Sequence, residues 1–349
     1  MTMIELRYRM SFTTPAFLGN AGQAGQWRTP PVKALLRQWW RVAYAADHQG
    51  RVSVAAMRSA EGVLFGTAAD GAGASNRSRL RLRLSHWNTG KLSNWSGLDA
   101  QRVAHPEVKA PVGAQLYLGY GPLIFSGGQT ALKAGAALQE KDHADLSLAF
   151  PEGVEAPRLR RALWLLHHYG TLGGRSRNGW GSFSLTPVDG SPALPAHLDS
   201  SLTLPWREAL AQDWPRALGS DARGALIWQT EPLADWKLVM RRLAETKIAL
   251  RRLFLFTGGR DALAPEERHW LSYPVTNHSV RAWGTNARLP NSLRFKVRAD
   301  ADGKLRGVVF HMPCLPPPSF QPDMQAIPRV WQRVHDHLDA DTRLKRIPA

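Results

Sequence analysis

The chain of 349 residues holds a single cysteine, Cys314. One thiol cannot close an internal disulfide, and it cannot build the multi-cysteine sites that hold structural zinc. Long apolar runs are missing as well, since no stretch approaches the ~20 residues a membrane-spanning helix needs. The opening residues MTMIELRYRM alternate charge with apolar side chains and lack the apolar segment of a secretory signal. A cytoplasmic protein without membrane contact is the expectation. Catalytic signatures are equally scarce. There is no HExxH, no G-x-S-x-G and no glycine loop ending in Gly-Lys-Ser/Thr, which excludes the motif-defined metalloproteases, serine hydrolases and P-loop nucleotidases. The 12 histidines are scattered. His86, His105 and His143 fall in expected loops, and the adjacent His167 and His168 point to different faces of a helix. No cofactor and no metal site are expected.

Negative charge is the scarcest property. Asp and Glu number 28 against 45 Lys and Arg, a formal charge of +17. Such an excess matches a polyanionic partner, and nucleic acid is the commonest one. Lysines number 10 and arginines 35. The arginine guanidinium grips phosphate with a planar fork and stacks on bases.

At 44% apolar residues the chain can bury a core, and its length suggests two domains or one duplicated architecture. Residues 3–14 alternate as a strand and stop at Pro15. Pro30 and Pro31 suit the first turn of a helix running to Asp47. Residues 77–84, RSRLRLRL, alternate strictly and read as a strand. Pro157 opens a helix ending in His167-His168-Tyr169, followed by a glycine-rich segment and the short strand FSLTP. A Pro-, Ser- and Gly-punctuated stretch then marks a boundary. Residues 1–190 form the first expected domain, 191–222 a linker and 223–349 the second domain. The second repeats the order loosely: a strand GALIWQT, a long basic helix, a hairpin about Asp302-Gly303 and a last helix near IPRVWQRVHDHLD. The fold class is α+β, and the order in each half matches a split βαβ sheet with insertions.

Three features can meet phosphate. Residues 170–182, GTLGGRSRNGWGS, bracket Arg175, Arg177 and Asn178 with Gly170, Gly173, Gly174, Gly179 and Gly181. Bare N–H groups in such a turn can cradle an anion, and the two arginines add charge. The second feature is the loop Gly19, Gly22, Gly25, leading through Arg28 to a helix with Lys33, Arg37 and Arg41 at fourfold spacing. The third is the strand that sets Arg77, Arg79, Arg81 and Arg83 on one face at ~6.6 Å intervals, near the phosphate spacing of an extended strand. The segment LRFKVR repeats that idea with Arg294, Lys296 and Arg298.

The blocks TPAFLGN, KALLRQWWR, LFG and GTLGGRSRNGWGS, with SYPV and RLPNSLRFKV later, resemble the RAMP superfamily of CRISPR effector proteins. Within it they are most like subunit one of the type III-B Cmr complex. The resemblance implies two ferredoxin-like (RRM-type) domains with insertions and a glycine-rich loop beside RNA. It implies a non-catalytic RNA-binding subunit near one end of the effector complex, holding crRNA and helping to capture target RNA. Its partners would then be crRNA, target RNA and other CRISPR effector subunits. Backbone subunits of this superfamily cleave target RNA with a loop aspartate and a metal, and residues 19–29 contain no acid. A metal-independent endoribonuclease processing CRISPR repeat RNA is the alternative, with His167 and His168 the nearest acid–base groups. A general RNA-binding scaffold is a third reading.

Overall fold

The computed structural model describes residues 2–68, 75–105, 110–153, 155–300 and 302–347. Alternation in residues 3–12 produces strand β1 (Met3–Phe12), whose Leu6, Tyr8, Met10 and Phe12 are buried while Glu5, Arg7 and Arg9 face out. Helix α1 (Thr29–Asp47) follows with Pro30 and Pro31 in its first turn. A helix not expected from the sequence, α2 (Val54–Phe65), packs against it. Next come β2 (Arg81–Leu84), the short helix α3 (Ala114–Gly119) and a hairpin of β3 (Leu123–Ser126) and β4 (Gln129–Leu132). Strand β5 (His143–Pro151), helix α4 (Glu155–Tyr169) and strand β6 (Phe183–Pro187) complete this half. The sheet runs β2-β5-β1-β6 with every neighbouring pair antiparallel.

The stretch 191–222, read as a linker, carries structure. Strands β7 (Thr203–Pro205) and β8 (Leu218–Asp221) join β9 (Gly224–Ala225) in a small sheet. Trp206, Leu210 and Leu218 are buried there. Proline and serine punctuation hid these anchors, which are too widely spaced to register as a period.

The second large sheet uses β10 (Ile227–Thr230), helix α5 (Trp236–Arg252), β11 (Leu293–Ala299), β12 (Leu305–His311), helix α6 (Ala326–Ala340) and β13 (Leu344–Arg346). Asp235 caps α5 by accepting from the Leu238 amide at 2.9 Å. The sheet order is β11-β12-β10-β13, again antiparallel throughout. Numbered by their place in each half, both sheets read second, third, first, fourth. An α+β architecture results. The halves share their cores, with Phe310 of β12 4.9 Å from Tyr169 of α4 and Trp180 5.8 Å from Trp236, ring centre to ring centre.

Two expectations for strands change. Regular pairing covers 81–84 alone, because the amides of Arg79 and Leu80 donate instead to the Leu64 carbonyl at the end of α2. Arg294 and Lys296 do not face solvent, since the first half covers that face of β11 and leaves them 7% and 0% exposed.

Candidate nucleic-acid interface

The two glycine-bearing blocks are hydrogen-bonded to each other. Gly174 N–H donates to the Phe17 carbonyl and Gly181 N–H to the Pro15 carbonyl, both at 2.9 Å. Thr14 Oγ1 donates to the Gly179 carbonyl at 2.9 Å. Gly173 has φ +92°, and a Cβ there would stand 2.6 Å from the Phe17 oxygen. Gly181 has φ +63°, and its Cβ would overlap the Leu172 carbonyl. These glycines therefore serve close backbone packing. This corrects the expected phosphate cradle: the amides of Gly174, Gly179 and Gly181 already donate to Phe17, Ser176 and Pro15. Strand β11 closes the other side, its Phe295 amide donating to the Arg177 carbonyl at 2.9 Å.

What the block presents outward is Arg175–Asn178. These residues form one wall of a cleft of 870 Å³ between the halves. Lys247 and Arg251 of α5 form another wall, and Tyr117 and Tyr120 sit at the end of α3. The rest comes from Val112, Leu116, residues 272–274, Thr276 and residues 288–291, the segments 272–274 and 288–291 joined by paired bonds between Tyr273 and Leu289 at 2.8 and 3.0 Å. Three of the segments that the family resemblance singled out, 170–182, SYPV and RLPNSLRFKV, thus meet in the cleft, together with α3 and α5, which it did not single out.

Arg175, Arg177, Lys247, Arg251 and Arg288 line the cleft, and no described lining residue is Asp or Glu. None of the five makes an ion pair among the described residues, whereas arginines elsewhere pair with Asp47, Glu61, Asp300 and Asp341. Their hydrogen bonds are to neutral groups. Arg177 donates to the Asn291 carbonyl at 2.9 Å, Lys247 to Asn178 Oδ1 at 2.7 Å and Arg251 to the Tyr117 hydroxyl at 3.1 Å. Burial, then the charges of Arg251 and Arg175, push Lys247 well below the ordinary lysine range. Arg175 is lowered by burial and by Arg251. Crowded cations without a counter-ion among the described residues can accept a polyanion, because attraction to bound phosphate offsets both their repulsion and their desolvation. Tyr120 is exposed beside them, so one end of the cleft can also stack a base.

The other expected contacts lie elsewhere. Arg28 is half-buried at the start of α1, its Nε without a partner. Lys33 Nζ donates to the Phe65 carbonyl at 2.9 Å, bracing α1 against α2. Arg37 and Arg41 both reach the buried Glu61, with Arg41 Nε at 2.6 Å. The helix face expected to be cationic is thus partly neutralised, by an acid from a helix the sequence did not reveal. The first turn of α1 is also a poor anion site, since Pro30 and Pro31 supply no N–H. Arg77, Arg79, Arg81 and Arg83 are exposed as expected, but none lines the cleft. His167 and His168 turn into the core. The Leu185 amide donates to His167 Nδ1, and burial lowers the two rings to about 3 and about 2. Among the described residues no group of three His, Cys, Asp or Glu could hold a metal ion. Sequence reasoning missed Lys247, Arg251, Arg288, Tyr117 and Tyr120 as site residues. The basic character of α5 was the signal available.

No protein-family model matches the chain, and no curated protein matches it. Solved structures do share its fold. A chain of the Type III-B Cmr-beta complex bound to cognate target RNA superposes with a TM-score of 0.50 at 10% identity, over 95% of this chain and 99% of that one. Cmr1 from Pyrococcus furiosus, in its apo form, aligns at 17% identity over 89% and 88% with a TM-score of 0.42. At 10% identity the likeness to the Cmr-beta chain is one of fold alone. No helix among the described residues is long and apolar enough to cross a membrane.

Proposed function

We propose that the chain is a non-catalytic RNA-binding subunit of a type III CRISPR effector ribonucleoprotein. It holds crRNA and helps to capture target RNA near one end of the complex, beside other effector subunits. The carrying observation is the cleft with five cations and no carboxylate among its described lining residues. The fold shared with a chain from a complex described as bound to cognate target RNA supports the same reading. The strand order common to both large sheets supports two ferredoxin-like domains, 1–190 and 223–349, with 191–222 between them. A non-catalytic role is supported by the lining, which among described residues includes neither a histidine nor a carboxylate to move a proton or hold a metal.

Fluorescence anisotropy with single-stranded RNA tests the binding role. Arg175→Glu combined with Arg251→Glu is expected to cost on the order of 3 kcal/mol, about a hundredfold in affinity, with an unchanged melting curve. Wild-type affinity in that variant would remove the cleft from the RNA site. Repeat RNA in a chelator, and guide-paired target RNA with magnesium, are expected to stay intact. Site-specific cuts would favour the endoribonuclease reading.

A further inference from the structure

Two more hollows lie along the chain segments that flank the cationic cleft. The first, of 340 Å³, is floored by Gly19, Gly25, Gly121, Gly174 and neighbouring alanines, with Lys133 exposed on its rim. It meets the cleft at two chain junctions, Tyr120–Gly121 and Gly174–Arg175. The second, of 380 Å³, is lined by Asn20, Gly22, Gln26, Arg28 and Trp87. It lies across the loop 19–26 from the first, the loop giving Gly19, Gln23 and Gly25 to one hollow and Asn20, Ala21, Gly22 and Gln26 to the other. Neither hollow has an Asp or Glu among its described lining residues, although the chain contains 28 acids.

The far end of this groove is built around an exposed indole. Trp87 is 58% exposed, whereas most tryptophans of the chain are buried. Its loop is fixed in place: Gln26 Nε2 donates to the Trp87 carbonyl and the Trp27 amide to the Asn88 carbonyl, each at 3.0 Å. A solvent-facing indole on this held loop, beside Arg28, combines a stacking surface with a phosphate contact. The middle hollow is lined mostly by glycines and alanines, with Phe17, Pro122 and Leu132 among them, and offers few side-chain hydrogen-bonding groups to read bases, which suits passage of a sugar–phosphate chain.

We propose that the groove from the cleft past Lys133 to Trp87 is the track of one extended, unpaired RNA strand, with a base stacked on Trp87. The proposal rests on the RNA-binding reading above and adds its path and its far subsite. An unpaired strand is favoured because a base inside a duplex does not offer its face to an indole.

The test compares the full chain with its Trp87→Ala, Trp87→Phe and Lys133→Glu variants. The probes are a long oligouridylate spanning the groove and a uridine dinucleotide able to fill the cleft alone. Trp87→Ala is expected to bind the long strand about tenfold more weakly, the scale of one base–aromatic stack, and the dinucleotide as wild type does. Trp87→Phe should keep most of the affinity, and Lys133→Glu should weaken the long strand alone. The proposal is overturned if Trp87→Ala binds the long strand normally, or if it weakens both probes equally. Should those results come with the expected loss in Arg175→Glu and Arg251→Glu, the path falls and the RNA-binding reading stands. Wild-type binding by the cleft variants would sink that reading itself.

Discussion

Lys247 concentrates the electrostatics of the cleft in one side chain. Its ammonium faces Arg175 from the glycine block and Arg251 from its own helix, with Asn178 Oδ1 as its hydrogen-bond acceptor. In the free protein burial and these two cations depress its pKa. A bound phosphate favours the charged form and raises it. RNA binding should therefore take up a proton, and affinity should fall as pH rises from the depressed value toward the ordinary lysine range. Calorimetry in two buffers of different ionisation enthalpy reads this uptake directly. Lys247→Gln is expected to abolish it, and equal proton uptake in both proteins would assign it elsewhere.

Among the elements, the junction of β11 with α4 decides how the halves are held. Lys296 reaches across from β11, and its Nζ donates to the carbonyls of His167 at 2.5 Å and Gly170 at 2.8 Å. These are carbonyls at the end of α4, where the helix dipole is negative and no intrahelical donor remains. The Phe183 ring lies 4.8 Å from the same ammonium. Lys296→Met would leave those carbonyls buried and unpaired. A loss of about 3 kcal/mol in urea denaturation is expected, partly offset because the buried charge disappears too. An unchanged midpoint would show that water reaches the helix end. Because Gly170 begins the glycine block, the same contact positions Arg175–Asn178, so RNA affinity is expected to fall with stability.

Two properties belong to the whole molecule. If the five cleft cations each neutralise one phosphate, log affinity should fall against log salt with a slope of roughly −3.5, at about −0.7 per phosphate for single strands. A slope near zero would point to a protein or small-anion partner. The second property is acid lability. His167, His168 and His335 are lowered by burial to about 3, 2 and 3, and His311 is driven well below its ordinary value by burial, His335 and Arg294. His311 and His335 sit ring to ring, with Ser292 Oγ and His335 Nε2 each 2.9 Å from a His311 nitrogen. In the folded state these rings stay neutral, while in the unfolded chain they protonate below about pH 6.5. The unfolded state then binds more protons, so stability is intact above that value and is lost as pH falls. Each ring contributes about 1.4 kcal/mol per pH unit. Urea midpoints measured from pH 7 to pH 4 should drop steeply, and a flat profile would show the rings to be hydrated.

Local order was written in the sequence wherever a period or a breaker recorded it. Alternation fixed β1 and the edge β2, Pro30 and Pro31 fixed the start of α1, and the glycines of 170–182 marked a special turn, expected as a phosphate cradle and found in close backbone packing. The same patterns predicted the order of elements in each half. The anchors in 203–218 and strand β13 were not legible, because their burial depends on partners far along the chain; helix α2 packs on the neighbouring α1 but carries Gly62 in its interior and no clear apolar stripe. The site divided the same way. That arginine exceeds acid was visible at once, but which arginines remain unpaired was not. Arg37 and Arg41 meet Glu61, Arg294 and Lys296 disappear beneath the first half, and Arg175 and Arg251 meet each other across a cleft without a carboxylate. A side-chain period says which residues share a face. Whether that face meets water, a core or a counter-charge is decided by long-range packing, so composition raised the expectation of a polyanionic partner and tertiary structure alone decided which cations gather without a counter-charge.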